Sequence, residues 1–277
     1  MNLEVKNLRQ NRLFVTCGMY AFTDDLRAAW QQLFGHFFHL VNPTFELDRL
    51  LKFETGQAVL NDPSLWFGQT CGYPLMTSLR DTLTPFSVPI FDVDGCDHTS
   101  YSSLLIVSED SEIKTLEDCQ GLRAVINTSD SNSGMNVLRH AVAAFYQQGT
   151  FFSGIQISGS HQQSLTEVAN QRADIAAIDC VSYRFIEDAW PDLAARVRSI
   201  GFSAQTCGLP FVMPKSSAGN NNFEGITGSL NHALSMLDDN YRNDLHLKGF
   251  EQVDIGEYQG ILDLEISAQE AGYPVLA

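Results

Sequence analysis

Leu26, Trp30, Leu33 and Phe37 recur at helical spacing within TDDLRAAWQQLFGHFF, behind Thr23, whose hydroxyl suits an N-cap. The apolar run RLFVTCGMY just before it reads as a strand, so the two form one strand-then-helix unit. LWFGQ followed by Gly72 and PLMTSL repeats the design. LRAVIN does so again ahead of GMNVLRHAVAAFY, where Leu138, Ala141, Val142 and Phe145 make an apolar stripe. GIQIS with QQSLTEVANQ, and ADIAAID with CVSYRFIEDAW, continue the series. Repeated β-then-α units with apolar strands predict an α/β fold of mostly parallel sheets flanked by helices.

Two passages break this rhythm. TPFSVPIFDVDGCDHTSYSSLLIVSEDS and VRSIGFSAQTCGLPFVMPKSS read as extended chain interrupted by Pro and Gly, with no helical period. They flank a middle block, as expected of a chain that crosses from one lobe to another and returns. On this reading residues 1–105 and 205–277 build a discontinuous first lobe, and residues 106–204 form the second. KSSAGNNN reads as a surface loop and ITGSLNHALSMLDDN as a closing helix.

Composition narrows the partners. The 277 residues are 44% hydrophobic, enough for a sizeable core. Seventeen Lys and Arg stand against 33 Asp and Glu, a formal charge of −16 that argues against nucleic acid or an anionic membrane face as a partner. No stretch approaches the roughly 20 apolar residues of a membrane span. MNLEVKNLRQNRLFVTCGMY shows no secretory leader, which predicts a periplasmic location if a leader has been removed and a cytoplasmic one if Met1 is the native start. Six cysteines, at 17, 71, 96, 119, 180 and 207, lack a CxxC pair, so neither a metal site nor a dense disulfide framework is expected.

The polar clusters fall where parallel strands hand over to helices, the place where unpaired N–H groups converge. NTSDSNSGMN, residues 127–136, opens a helix, and Ser131, Asn132 and Ser133 there offer hydroxyl, amide and backbone donors to an oxyanion. A plain N-cap in a polar turn accounts for the same residues. SGSHQQSL repeats the arrangement one unit later, with Ser160 and His161 at a second helix start. Tyr20, Gln69, Thr70, Tyr73 and Tyr101 follow or flank strands of the proposed first lobe. Asp179, ending DIAAID, has three readings: facing a cationic part of a ligand, holding a donor in place, or lying outside the pocket. Cys180 with His161 is a conceivable nucleophile–base pair, and a buried structural thiol is the alternative.

These stretches resemble the substrate-binding proteins of phosphate, phosphite and phosphonate ABC importers, the phosphonate-binding branch of the type II periplasmic binding fold. The likeness runs through MY at 19–20, QTCGYPL at 69–75, YSSLLIV at 101–107, NTSDSNSGMNVLR at 127–139, GSHQQSL at 159–165, ADIAAIDC at 173–180 and LHLKGFEQVD at 245–254. The resemblance implies two α/β lobes with a ligand cleft between them. It matches Ser131, Asn132 and Ser133 to an oxyanion-binding turn, with Asn132 where a hydroxyl residue is usual. It matches His161 to a ligand histidine, Tyr20, Tyr73 and Tyr101 to first-lobe contacts, and Asp179 to an acidic position able to face a ligand amine. QTCGYPL and DGCD are cysteine-bearing departures, which raises a Cys71–Cys96 pairing. The function implied is non-catalytic capture of a small phosphonate, phosphate or phosphite for an ABC permease, without cofactor, nucleic acid or membrane insertion. Two alternatives share the fold: an intracellular ligand sensor, and an enzyme related to thiamine-precursor synthases.

Overall fold

A computed structural model of the chain describes residues 13–42, 50–146, 149–219 and 221–277. It forms two compact units, Met1–Asp92 with Gly208–Glu257, and Val93–Cys207 with Tyr258–Ala277.

The first unit is a sheet in the order β14-β4-β13-β3-β1-β2. Its strands are β1 (Phe14–Thr16), β2 (Leu51–Lys52), β3 (Leu65–Gln69), β4 (Leu83–Phe91), β13 (Phe211–Pro214) and β14 (Leu247–Gln252). β1 runs parallel to β2 and β3, whereas β13 and β14 pair antiparallel. The helix Asp24–Val41 begins as its sequence predicts: the Thr23 hydroxyl accepts a hydrogen bond from Leu26 N at 3.1 Å, and Asp24 and Asp25 sit in the positive first turn. It ends where Asn42 turns extended. Its apolar stripe meets the sheet through rings. Phe34 and Phe37 lie 6.3 and 5.8 Å from Phe67 of β3, and Phe34 lies 6.1 Å from Phe211 of β13, two of these contacts edge-to-face.

The second unit carries the sheet β11-β7-β10-β8-β9. Its strands are β7 (Ser103–Ser108), β8 (Arg123–Ile126), β9 (Gly154–Ile157), β10 (Ile175–Asp179) and β11 (Val197–Phe202). β8 is parallel to both β9 and β10, while β7 is antiparallel to β10 and β11. A small antiparallel sheet joins β5 (Cys96–Asp97), β6 (Ser100–Tyr101) and β12 (Thr206–Cys207). The sheets are thus mixed: parallel where strand-then-helix units follow one another, antiparallel where the extended passages enter and leave.

Three expectations meet a different outcome: residues 93–105, Tyr101 among them, fall in the second unit rather than the first. The C-terminal helix Gln259–Glu270 belongs with the second unit, where the pattern assigns all of 205–277 to the first. Nonlocal contacts tie it there: Ile261 and Ala268 are fully buried, Asn136 Nδ2 donates to Ile261 O at 2.9 Å, and Arg139 pairs with Glu265 at 3.4 Å. Within KSSAGNNN, Lys215–Ala218 is one helical turn rather than loop, and Asn220 lies outside the described residues.

Phe34 is fully buried among five aromatic neighbours of the described residues, so Phe34→Ala leaves a cavity as well as losing transfer free energy. The substitution is expected to cost about 3–5 kcal/mol in denaturant unfolding. A loss below about 1 kcal/mol would show that this ring cluster does not hold the first unit.

Candidate functional site

Strand register decides which side chains meet. β8 and β9 pair from Arg123↔Gly154 to Ile126↔Ile157, and two further backbone bonds extend the match past the strand ends. Ser158 N donates to Ile126 O at 2.9 Å, and Gly159 N to Asn127 O at 2.8 Å. The two polar turns are therefore stitched side by side before either helix begins.

The first turn opens through a π-helical stretch, Asn132–Asn136, ahead of the α-helix Val137–Ala143. Ser131 is its N-cap, with Oγ accepting from Gly134 N at 2.9 Å, and its hydroxyl hydrogen can turn to Ser133 Oγ at 3.5 Å or to a ligand. The second turn ends at Ser160, which caps His161–Ala169 by accepting from Gln163 N. His161 is thus the first helical residue, and its Nε2 lies 2.8 Å from Ser133 Oγ and 3.5 Å from Asn127 Nδ2.

Burial holds the His161 imidazole down to about 4, so the ring is neutral at pH 7. A neutral ring carries one N–H, and the Ser133–His161 bond then has two forms. Either Ser133 donates to Nε2 and Nδ1 keeps its hydrogen, or Nε2 donates to Ser133 and the hydroxyl hydrogen is released. Both leave one donor unspent. Nδ1 and Asn127 Oδ1 are both shielded from solvent and have no hydrogen-bond partner among the described residues. Gly134 explains the latter's position: a Cβ there would stand 1.9 Å from Asn127 Oδ1, so only glycine admits the carboxamide.

Asn132 behaves differently from its serine neighbours. Its two amide hydrogens go to Tyr101 OH at 3.1 Å and Thr206 Oγ1 at 2.9 Å, and its Oδ1 accepts from Asn136 at 3.0 Å. Fully buried and with both hydrogens committed, it braces the turn rather than offering donors. Asn136 and Arg139 continue this network to Ile261 O and Pro274 O. Sequence reasoning missed Thr206 and Asn136 as supports, since nothing local ties residue 206 to residue 132. It also passed over Asn127 as an individual contact, although it stands within the motif.

Asp179 serves as an N-cap: Oδ1 accepts from Val181 N at 2.8 Å and Ser182 N at 3.1 Å, at the start of Cys180–Ala189. Cys180 Sγ lies 3.5 Å from Cys96 Sγ, and the hydrogen bond between these thiols with burial raises the Cys180 pKa, so it is no activated nucleophile. His161 is engaged with Ser133 instead. Cys71 lies in the first unit and Cys96 in the second, and neither is in a disulfide.

In the first unit, Tyr20 follows β1 and packs edge-on to Phe91 at 5.2 Å. Gln69 ends β3, with Nε2 donating to Leu209 O and Oε1 accepting from the Cys17 thiol. Thr70 N donates to Pro210 O, and Tyr73 lies in the short helix Gly72–Met76. A concavity of about 630 Å³ in this unit, lined by Arg27, Gln31, Leu51, Lys52, Phe53 and Glu54, contains none of the candidate residues. Among the described residues, no cluster of His, Cys, Asp and Glu is placed to hold a metal, and no helix is long and apolar enough to cross a membrane.

The sequence profile of a family described as ABC transporter, phosphonate, periplasmic substrate-binding protein matches residues 66–258, more than half of the chain. In three dimensions the chain is similar to a binding protein component of an ABC phosphonate transporter from Pseudomonas aeruginosa. That match has a TM-score of 0.73 and 18% identity, covering 94% of this chain and 87% of that one. PhnD1 from Prochlorococcus marinus, in complex with methylphosphonate, gives a TM-score of 0.68 and 17% identity over 94% of this chain and 99% of that one. The alkanesulfonate-binding protein SsuA from Xanthomonas axonopodis pv. citri, bound to MOPS, gives 0.65 and 15% over 95% of each chain. No curated protein matches the sequence. These likenesses establish an α/β, type II periplasmic binding protein fold.

The buried ring makes a pH prediction. The unfolded chain takes up a proton on this histidine near 6.5, the folded protein only near 4, so stability falls as pH drops through that window and is unaffected above it. NMR of the ligand-free protein should show His161 ring shifts flat from about pH 8 to about 5.5. A midpoint at 6.5 or higher would contradict the neutral, shielded imidazole.

Proposed function

Because the chain belongs to the periplasmic substrate-binding proteins of phosphonate ABC transporters, we propose that its second unit captures a small phosphonate-class anion through Ser131, Ser133 and His161. We propose further that the loaded protein delivers this cargo to a membrane permease from the periplasm. The family is one of solute-binding proteins without catalytic function. The observation that carries the ligand assignment is the 2.8 Å contact between Ser133 and a neutral His161, which joins two helix starts and leaves a hydrogen unspent.

A phosphonate presents several oxygens on one tetrahedral centre and needs several donors from different directions. Ser131 supplies one hydroxyl hydrogen and the Ser133–His161 pair another, while the helix Val137–Ala143 and the turn before it set a favourable field. Donors of this kind attract an anion without a fixed positive charge. Asn132, Tyr101 and Asp179 act in this reading as supports, the first two holding the serine turn and the third capping the neighbouring helix. Tyr20, Gln69, Thr70 and Tyr73 enter through their places beside strands, and the two tyrosines through the resemblance as well. The methylphosphonate carried by the Prochlorococcus relative supports the ligand class.

Calorimetric titration of ligand-stripped protein with methylphosphonate, 2-aminoethylphosphonate, phosphite and phosphate tests this reading. At least one should bind and raise the melting temperature, and a flat response to all four would reject it. Ser133→Ala and His161→Ala should each weaken that binding by about 1.5–3 kcal/mol, roughly 10- to 150-fold in Kd. The ligand-free melting temperature should stay nearly unchanged. Equal loss of folding in both variants would assign the pair to a structural role alone.

A further inference from the structure

We infer that Cys96 and Cys180 are a disulfide-forming site. Their sulfurs lie 3.5 Å apart although 84 positions separate them in the chain, and backbone bonds fix both segments. Cys180 N donates to Ser102 O at 3.1 Å, Ser102 N and Oγ both donate to Gly95 O at 2.9 Å, and Cys96 N donates to Val93 O at 3.0 Å. Gly95 adopts φ +96°, and a Cβ on it would stand 3.0 Å from Cys180 Cβ and 2.8 Å from the Phe202 ring. The glycine is what lets this turn lie against the helix start that bears Cys180. A disulfide needs the sulfurs at about 2.05 Å, an approach of about 1.5 Å that side-chain rotation and small backbone shifts supply.

The two thiols differ in access. Cys96 is half-buried, whereas Cys180 is buried. Cys96 is therefore the entry point for an oxidant of the small-disulfide class, R–S–S–R. Its thiolate attacks one sulfur and expels the first R–S⁻, leaving a mixed disulfide. Cys180, held beside the Cys96 sulfur, attacks it and expels the second R–S group, which leaves with the Cys180 proton as R–SH. Two protein thiols are oxidised and the small disulfide is reduced to two R–SH. The other thiols are placed elsewhere: Cys17 against Gln69, Cys119 against Thr115 O, Cys207 buried in β12, and Cys71 in the first unit.

The bond would tie the helix capped by Asp179 to the β5–β6 hairpin. Cys96 is the register partner of Tyr101, whose hydroxyl accepts from Asn132. A covalent link at residue 96 thus fixes the strand pair that braces the serine turn.

The test is to equilibrate the folded wild-type protein with oxidised glutathione, then unfold it in an alkylating reagent without reduction and map the peptides by mass spectrometry. Two thiols should be lost to alkylation, and a single peptide pair linking Cys96 to Cys180 should appear. In Cys96→Ser, Cys180 should be alkylated in full. Should that variant fail to fold, the wild-type linkage map decides alone. Glutathione resting on Cys96 with Cys180 alkylated, both cysteines alkylated, or Cys96 linked to a different cysteine would each overturn the assignment.

Discussion

Two backbone hydrogen bonds, Ser158 N to Ile126 O and Gly159 N to Asn127 O, carry the pairing of β8 and β9 beyond the strand ends, and the site geometry follows from them. A parallel register is set by alternating inward side chains, and a slip by one residue would turn every side chain over. Here the bonded pairing of β8 with β9 brings Ser133 and His161 to contact from turns 28 residues apart. The serine cap, the π-helical opening and the histidine at a helix start are local features. Their convergence is a property of the sheet.

The electrostatics fit an anion site inside an acidic protein. A formal charge of −16 disfavours anionic partners at long range, yet water and salt screen that field over about 10 Å. At contact distance the turn presents hydroxyls, an imidazole and helix-start amides, worth more in a shielded site than in water. A neutral His161 spares the fold the cost of a buried charge, and the Ser133–His161 pair holds one more hydrogen than their mutual bond uses. Asn132 spends its hydrogens inward instead, and the serines on either side are presented by a turn braced through Asn136 and Arg139.

Much of this was legible in the sequence because it is local. Thr23 as an N-cap, the stripe Leu26–Trp30–Leu33–Phe37, the apolar strands and the polar turns before helices each follow from a few consecutive residues. The two extended passages flagged the crossings between units. What stayed hidden is nonlocal. Asn132 read as a ligand donor from its place in the motif, whereas Tyr101 and Thr206, brought in by a three-stranded sheet, absorb its amide. Asp179 had several readings until the helix it caps was in view. Cys96 drew attention to Cys71 because both sit in unusual motifs, while its actual neighbour, Cys180, comes from a helix start. The C-terminal helix is tied to the second unit in part through Asn136 and Arg139, neither of which stands out in a hydrophobic pattern.

The central claim is that Ser133 and His161 act on the ligand as one unit. A double-mutant cycle on binding, comparing Ser133→Ala, His161→Ala and the double variant by calorimetry with whichever phosphonate binds the wild type, measures that directly. Coupling of about 0.5–3 kcal/mol between the two sites is the predicted result. Strictly additive losses would show that the two residues meet the ligand independently or not at all, and would contradict the account.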